Sequence, residues 1–143
     1  MSMKTDQLKK VMVAVDGSKN SLRAGKLAVN LAKKTGSHLI VVSVIATPPY
    51  AISGSHYFAT ERKKTERWIG QILSLARSGH VKVSTQILLS VSVVKSLLDY
   101  GASKNVDLIV VGTRGLGTFK RLAIGSVSSA VVNHSTCSVL VVR

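Results

Sequence analysis

The residues best suited to chemistry in this chain lie in the stretch GTRGLGTFKRLAIGS, from Gly112 to Ser126. It holds four of the eleven glycines and three of the twenty cations, Arg114, Lys120 and Arg121, in the spacing Gly112-x2-Gly115-x9-Gly125-Ser126. Glycines let backbone N–H groups approach a ligand with no side chain in the way, and a run of such amides cradles an anion. At Gly125, Ser126 and Val127 the loop passes into a helical stretch, whose free N–H groups and positive dipole end favour phosphate. The chemistry is therefore recognition of a polyanion. Two familiar phosphate loops are excluded: there is no Gly-x-x-x-x-Gly-Lys-Ser/Thr, and the glycines follow the fourth β-rich run instead of the first, as a dinucleotide fingerprint would require. Asp16, one of only six acids, closes the first β-rich run, VMVAVD. Ligand contact is favoured there over a helix cap, whereas Ser126 is read equally as cap and as phosphate contact.

These residues need a frame. Five β-rich runs read as strands: Val11 to Asp16, His38 to Ile45, Lys82 to Leu89, Asp107 to Gly112 and Ser138 to Arg143. The first, second and fourth are near-continuous Val, Ile and Leu, as in parallel strands covered on both faces, and the third alternates as an edge strand does. Between strands one and two, Lys19, Arg23, Lys26, Asn30 and Lys33 recur at helical spacing, with Leu22, Ala24, Leu27, Ala28, Leu31 and Ala32 opposite and Gly36 as the stop. Further helices are predicted over about Phe58 to Ala76, Val93 to Lys104 with Ser92 as cap, and Val127 to His134. Alternating β and α elements predict a single α/β domain spanning residues 1–143, doubly wound, with a five-stranded parallel sheet and helices on both faces. Ligands of such sheets bind outside the carboxyl ends of the strands, where the winding reverses, and Asp16 and Gly112 both end strands.

Composition narrows the classes. At 143 residues and 45% hydrophobic content one core suffices. No apolar run approaches the roughly 20 residues of a membrane span, and VMVAV is too short for a signal peptide, so a soluble, cytoplasmic protein with no membrane partner is expected. One cysteine, Cys137, makes no internal disulfide and no metal cluster, and His38, His56, His80 and His134 have no metal-site spacing. Trp68 and Phe119 are isolated aromatics, read as packing residues, and the cations of ERKKTER (Glu61 to Arg67) as a solvated helix face. A formal charge of +14 favours anionic partners without choosing between nucleotide, nucleic acid and membrane.

The spacing Gly112-x2-Gly115-x9-Gly125-Ser126 resembles the nucleotide-binding signature of the universal stress protein family. VMVAVDGSKNS, HLIVVSVI, DLIVVGTRG and GSVSSAVVNHSTCSVLVV match it in order across nearly the whole chain. The resemblance implies an adenine nucleotide alpha hydrolase-like fold, a homodimer, and bound ATP with adenine near strands one and two. Asp16 would lie by the ribose or a phosphate-bound Mg²⁺, and Val44 backbone groups would read the adenine edge. Gly112, Gly115, Gly125, Ser126 and Val127 would hold ribose and phosphates, with Val15, Val111 and Arg114 completing the contact set. The chain departs from the family where SVS (Ser90 to Ser92) replaces Gly-x-Pro and Ser138 replaces a proline. The C-terminal strand Ser138 to Arg143 is an unguarded apolar edge suited to self-pairing.

Three functions follow in order. The first is an ATP-binding stress-response regulator with a downstream protein partner that the sequence does not name. The second is a slow ATPase or self-phosphorylating enzyme, for which only Asp16 is a candidate acid and no catalytic constellation is present. The third is a sequence-independent nucleic-acid binder, which lacks a reading helix or clustered stacking aromatics.

Overall fold

The computed structural model describes residues 7–48, 56–113 and 124–143. Five strands, β1 (Lys10–Ala14), β2 (His38–Ala46), β3 (Val83–Ser90), β4 (Leu108–Gly112) and β5 (Ser138–Val142), form one parallel sheet in the order β3-β2-β1-β4-β5. The helices between them are α1 (Lys19–Thr35), α2 (His56–Ser78), α3 (Val93–Ser103) and α4 (Ser126–His134). The expected strand and helix ends are met to within about two residues, the usual scatter of frayed termini.

The order follows from hydropathy. Every residue of β4 is buried, as are the central residues of β1 and β2, while β3 and β5 are half exposed and take the two edges. Right-handed crossovers then decide the layers. The chain steps from β1 through β2 to β3 in one direction, which puts α1 and α2 on one face. It crosses back to β4 and β5, which puts α3 and α4 on the other. Two apolar clusters result: Val11, Val13, Leu39, Val41 and Val110 with Ala24, Ala28, Ile69 and Ile72 on the first face, and Met12, Ile40, Val42, Ile109 and Val111 with Leu97 and Val131 on the second. Each fully buried Val, Leu or Ile is worth about 1.5–3 kcal/mol over its exposed state.

Local signals set the helix ends. Ser18 caps α1 by accepting from Ser21 N, and Gly36 ends it at φ 72°, a left-handed turn that a side chain would strain. Small residues, Ala24, Ala28 and Ala32, let α1 lie close to the sheet, and Gly25 lets it lie close to Ile72 of α2. The predicted inward face needs one correction: Leu27 is 41% exposed, and Val29 is buried in its stead. The buried arc is centred on Ala24, Ala28 and Ala32 and reaches Gly25 and Val29 on one side, which leaves Leu27 on the solvent flank. Ser92 caps α3 by accepting from Lys95 N at 3.2 Å. The SVS departure is self-contained, since Ser90 Oγ accepts from Ser92 N and donates to Ser92 O.

Candidate functional site

The winding reverses between β1 and β4, and the turns that leave these two strands meet there. After Ala14 the ladder to β2 continues for one more bond, Val15 N to Val42 O at 2.9 Å. The chain then turns sharply. Asp16 Oδ1 accepts from Ser18 N at 2.9 Å, Asp16 N donates to Ser21 Oγ at 3.1 Å, and Gly17 takes φ 84°. Asp16 therefore does not cap α1, a role that belongs to Ser18; it ties the turn with one carboxylate oxygen and remains exposed.

From β4, Gly112 packs so closely on the first turn of α1 that an added Cβ would stand 2.8 Å from Asn20 C and 3.0 Å from Ser21 N. Its glycine is thus needed for close approach of two backbones, a packing reason in addition to any ligand. Thr113 continues the structure: its N–H donates to Val142 O at 2.8 Å, its Oγ1 accepts from Asn20 Nδ2 at 3.1 Å, and its carbonyl accepts from Gly125 N. Gly125 is the cap residue of α4 and supplies no side-chain hydrogen bond to the helix start. Ser126 is the first helical residue and exposed, so its predicted capping role is not taken up. Among the described residues no side chain caps the first amides of α4, which present a set of donors.

Between these turns lies a cavity of about 380 Å³, within the usual range of small-molecule sites. Eight of the ten sequence-predicted residues line it: Val15 and Asp16 from the β1 turn, Val44 from β2, Val111 and Gly112 from β4, and Gly125, Ser126 and Val127 at the α4 start. Arg114 and Gly115 lie outside the described residues, as do Lys120 and Arg121. Val42, Val93 and Leu97 give the cavity an apolar wall, and Asp16 is the one carboxylate among its described lining. A second depression, about 580 Å³, lies at the opposite end of the sheet. Its lining includes Asp99 and Asp107, which suits no polyanion.

Val44 has a particular position. In a strand, residues two apart direct their N–H and C=O to the same side. Val42 O faces β1, so the Val44 groups face the same side, past the last β1 residue that pairs with β2. That is a donor and an acceptor side by side at the cavity wall.

Several contributors were not singled out from the sequence. Val93 and Leu97 come from α3, and Ser128 donates from α4 to Gly112 O. The helical period of α3 marks Leu97 as inward, but not towards which end of the sheet. Trp68 is the largest omission. Its ring lies against Gly17, where an added Cβ would meet Cε3 at 2.5 Å. Its Nε1 donates to Ser43 Oγ at 2.9 Å, and the buried Ser43 donates to Val15 O at 2.5 Å. A packing residue, as predicted, it also braces the turn that carries Asp16.

The family model of the universal stress proteins matches residues 7–143. The chain belongs to the universal stress protein family. A Staphylococcus saprophyticus protein named as a universal stress protein is 36% identical over 94% of this chain and 83% of its own length. Among solved structures, universal stress protein UspA from Lactobacillus plantarum superposes with a TM-score of 0.87 at 26% identity, covering 96% of this chain and 99% of that one. The universal stress protein from Archaeoglobus fulgidus in complex with dAMP does so with a TM-score of 0.71 at 20% identity, covering 97% of this chain and all 100% of that one. This universal stress protein shares their doubly wound α/β fold, and no helix among its described residues is long and apolar enough to cross a membrane.

Proposed function

We propose that this chain binds ATP in the crevice between β1 and β4 and acts as a cytoplasmic regulatory protein of the stress response. The observation that carries the reading is the start of α4: amides without a side-chain cap open into an apolar cavity that also holds the Val44 backbone pair and Asp16. Adenine suits the wall of Val42, Val44, Val93 and Leu97, and the phosphates suit the α4 start, with Gly115 and Arg114 joining them on sequence grounds. The Archaeoglobus relative solved with dAMP supports an adenine nucleotide in this fold. Mg²⁺ fits in one respect: with Oδ1 committed to Ser18 N, the second Asp16 oxygen is available to a phosphate-bound cation or its water.

Rapid hydrolysis does not fit this lining. Amides and a helix dipole bind ground and transition states about equally, which does not raise turnover, and no second acid lines the described cavity to orient water. The protein would therefore hold ATP as a signal, its occupancy read by a partner protein. β5 pairs only with β4 among the described strands, and a homodimer would form through its free edge.

Titration of the purified protein with ATP and AMP, with and without Mg²⁺, tests the reading. Saturable ATP binding is expected, weakened by Asp16→Asn in Mg²⁺ and by Gly125→Val in all conditions. Turnover is expected well below the roughly 1 to 10³ per second of typical enzymes. Equal ATP affinity in all three proteins, or phosphate release above about one per second abolished by Asp16→Asn, would refute it.

A further inference from the structure

Among the described residues the charge on the helices is unevenly divided between the two faces of the sheet. Helices α1 and α2, which share one face of the sheet, carry Lys19, Arg23, Lys26, Lys33 and Lys34, then Arg62, Lys63, Lys64, Arg67 and Arg77. All ten are exposed, and the only acids on the two helices are Glu61 and Glu66, leaving a surplus of eight. On the opposite face, α3 and α4 carry Lys95 and Asp99, which pair with each other at 2.7 Å and leave no net charge. The α1 cations lie opposite the buried Ala24, Ala28 and Ala32, in a line with no acid. None of them pairs with an acid among the described residues, where Lys64 with Glu61 is the one ion pair of this face. From Lys19 to Lys34 the line is about 22 Å long at the helical rise of roughly 1.5 Å per residue.

We propose that this α1/α2 face binds duplex nucleic acid through its phosphates, without reading bases. A line of about 22 Å passes some six phosphates of one strand at roughly 3.4 Å each. Flexible Lys and Arg side chains on an exposed helix suit such contacts, which give affinity and register but no sequence information. The lack of a reading element, which argues against sequence-specific binding, is thus a property of this surface. An anionic membrane fits less well, because docking there takes inserted apolar groups as well as charge. Leu27 is the one exposed large hydrophobic of α1, Leu75 and Tyr57 those of α2, and each is only about two-fifths exposed. An acidic protein would require an apolar or aromatic anchor pocket within the patch, and both described cavities lie elsewhere.

Fluorescence anisotropy with a labelled duplex of about 20 base pairs and arbitrary sequence, from 50 to 200 mM KCl, tests this directly. With about four phosphate contacts, affinity should fall roughly 150-fold across that range, as log K changes by about −0.9 per contact and decade of salt. The variant Arg23→Glu/Lys26→Glu/Lys34→Glu should bind at least tenfold more weakly at 50 mM and lose most of the salt slope. Its circular dichroism and ATP affinity should be those of the wild type, which separates this surface from the crevice. Lys95→Glu/Lys104→Glu, on the other face, should bind the duplex as the wild type does. The proposal is overturned if the triple variant keeps wild-type affinity and slope, or if the wild type binds the duplex no better than about 10⁻⁴ M at 50 mM. It is equally overturned if phosphatidylserine vesicles bind the face and the duplex does not displace them.

Discussion

Gly112 offers the sharpest test of how packing and site are joined. In Gly112→Ala the new Cβ would meet Asn20 C at 2.8 Å, Asn20 O at 2.9 Å and Ser21 N at 3.0 Å, all backbone atoms that no rotamer change can move. Ordinary contact begins near 3.4 Å, so β4 and the first turn of α1 must part by about half an ångström. Overpacking of this kind costs about 1–3 kcal/mol, offset by about 0.4–1 kcal/mol from the stiffer unfolded chain. The net loss, up to about 2.6 kcal/mol, lowers Tm by up to several degrees for a chain of this size. The displaced turn is the one that aligns Asn20 with Thr113 and, through Thr113 O, the α4 start. ATP affinity should therefore fall about tenfold or more, the worth of one charge-assisted hydrogen bond. Gly25→Ala is the control for affinity: its Cβ would meet Ile72 Cδ1 at 2.5 Å and Cγ1 at 2.8 Å, a clash at the α1/α2 contact that involves no residue lining the cavity. Thermal melts and ATP titrations of both variants check the prediction. Wild-type Tm and affinity in Gly112→Ala would refute it, as would an equal loss of affinity in Gly25→Ala.

Other consequences can be measured on the same protein. Trp68 is the only tryptophan of the chain, so its emission should shift when ATP settles the Asp16 turn, and Trp68→Phe, which removes the bond to Ser43 Oγ, should cost about 0.5–1.5 kcal/mol. An emission spectrum indifferent to saturating ATP would show that the brace does not sense the site. Thr113 N donates to Val142 O, so Val142 and Leu140 face β4, and Val139 and Val141 direct their N–H groups to the free edge. Val141→Pro should give a monomer by light scattering with the sheet intact, and a monomeric wild type would remove the dimer altogether. His38 titrates below its ordinary 6.5, through partial burial first and then Lys82 and Lys10. The unfolded chain therefore binds that proton more readily, and the contribution is complete above about pH 6.5 and lost as pH falls through the folded value. His38→Gln should flatten denaturant midpoints between pH 5 and 7; an unchanged slope would contradict this.

The frame was legible because its signals are local and redundant. Continuous Val, Ile and Leu in β1, β2 and β4 mark buried parallel strands, and the alternation of β3 marks an edge, whatever lies beyond them. Caps and stops are equally local: Gly36 and Ser92 act within four residues of their own position, whereas the cap of α1 falls to Ser18, two residues beyond the Asp16 that the sequence offered for it. Leu27 escaped because a helical wheel locates the centre of an apolar face but not its width. That width depends on how near α1 comes to its neighbours, a distance set towards the sheet by Ala24 and Ala28 and towards α2 by Gly25 against Ile72.

The site was legible only where chemistry and chain position coincide. Asp16, Gly112 and the Gly125 to Val127 helix start end or begin elements, and the reversal of winding brings such termini together. Gly112 shows the limit of that reasoning: a glycine read as room for a ligand also makes room for Asn20, and the two demands are indistinguishable until both backbones are placed. Trp68 shows a different limit. Twenty-five residues from Ser43 and more than fifty from Val15, it reaches Val15 O through a single hydroxyl, and nothing in the period of α2 sets it apart from any other half-buried residue of that helix. The charge layer is of the same kind. Each helix taken alone reads as amphipathic with a solvated basic face, and only right-handed winding, which stacks α1 beside α2 and opposes both to a neutral pair, turns two ordinary faces into one surface with a surplus of eight charges.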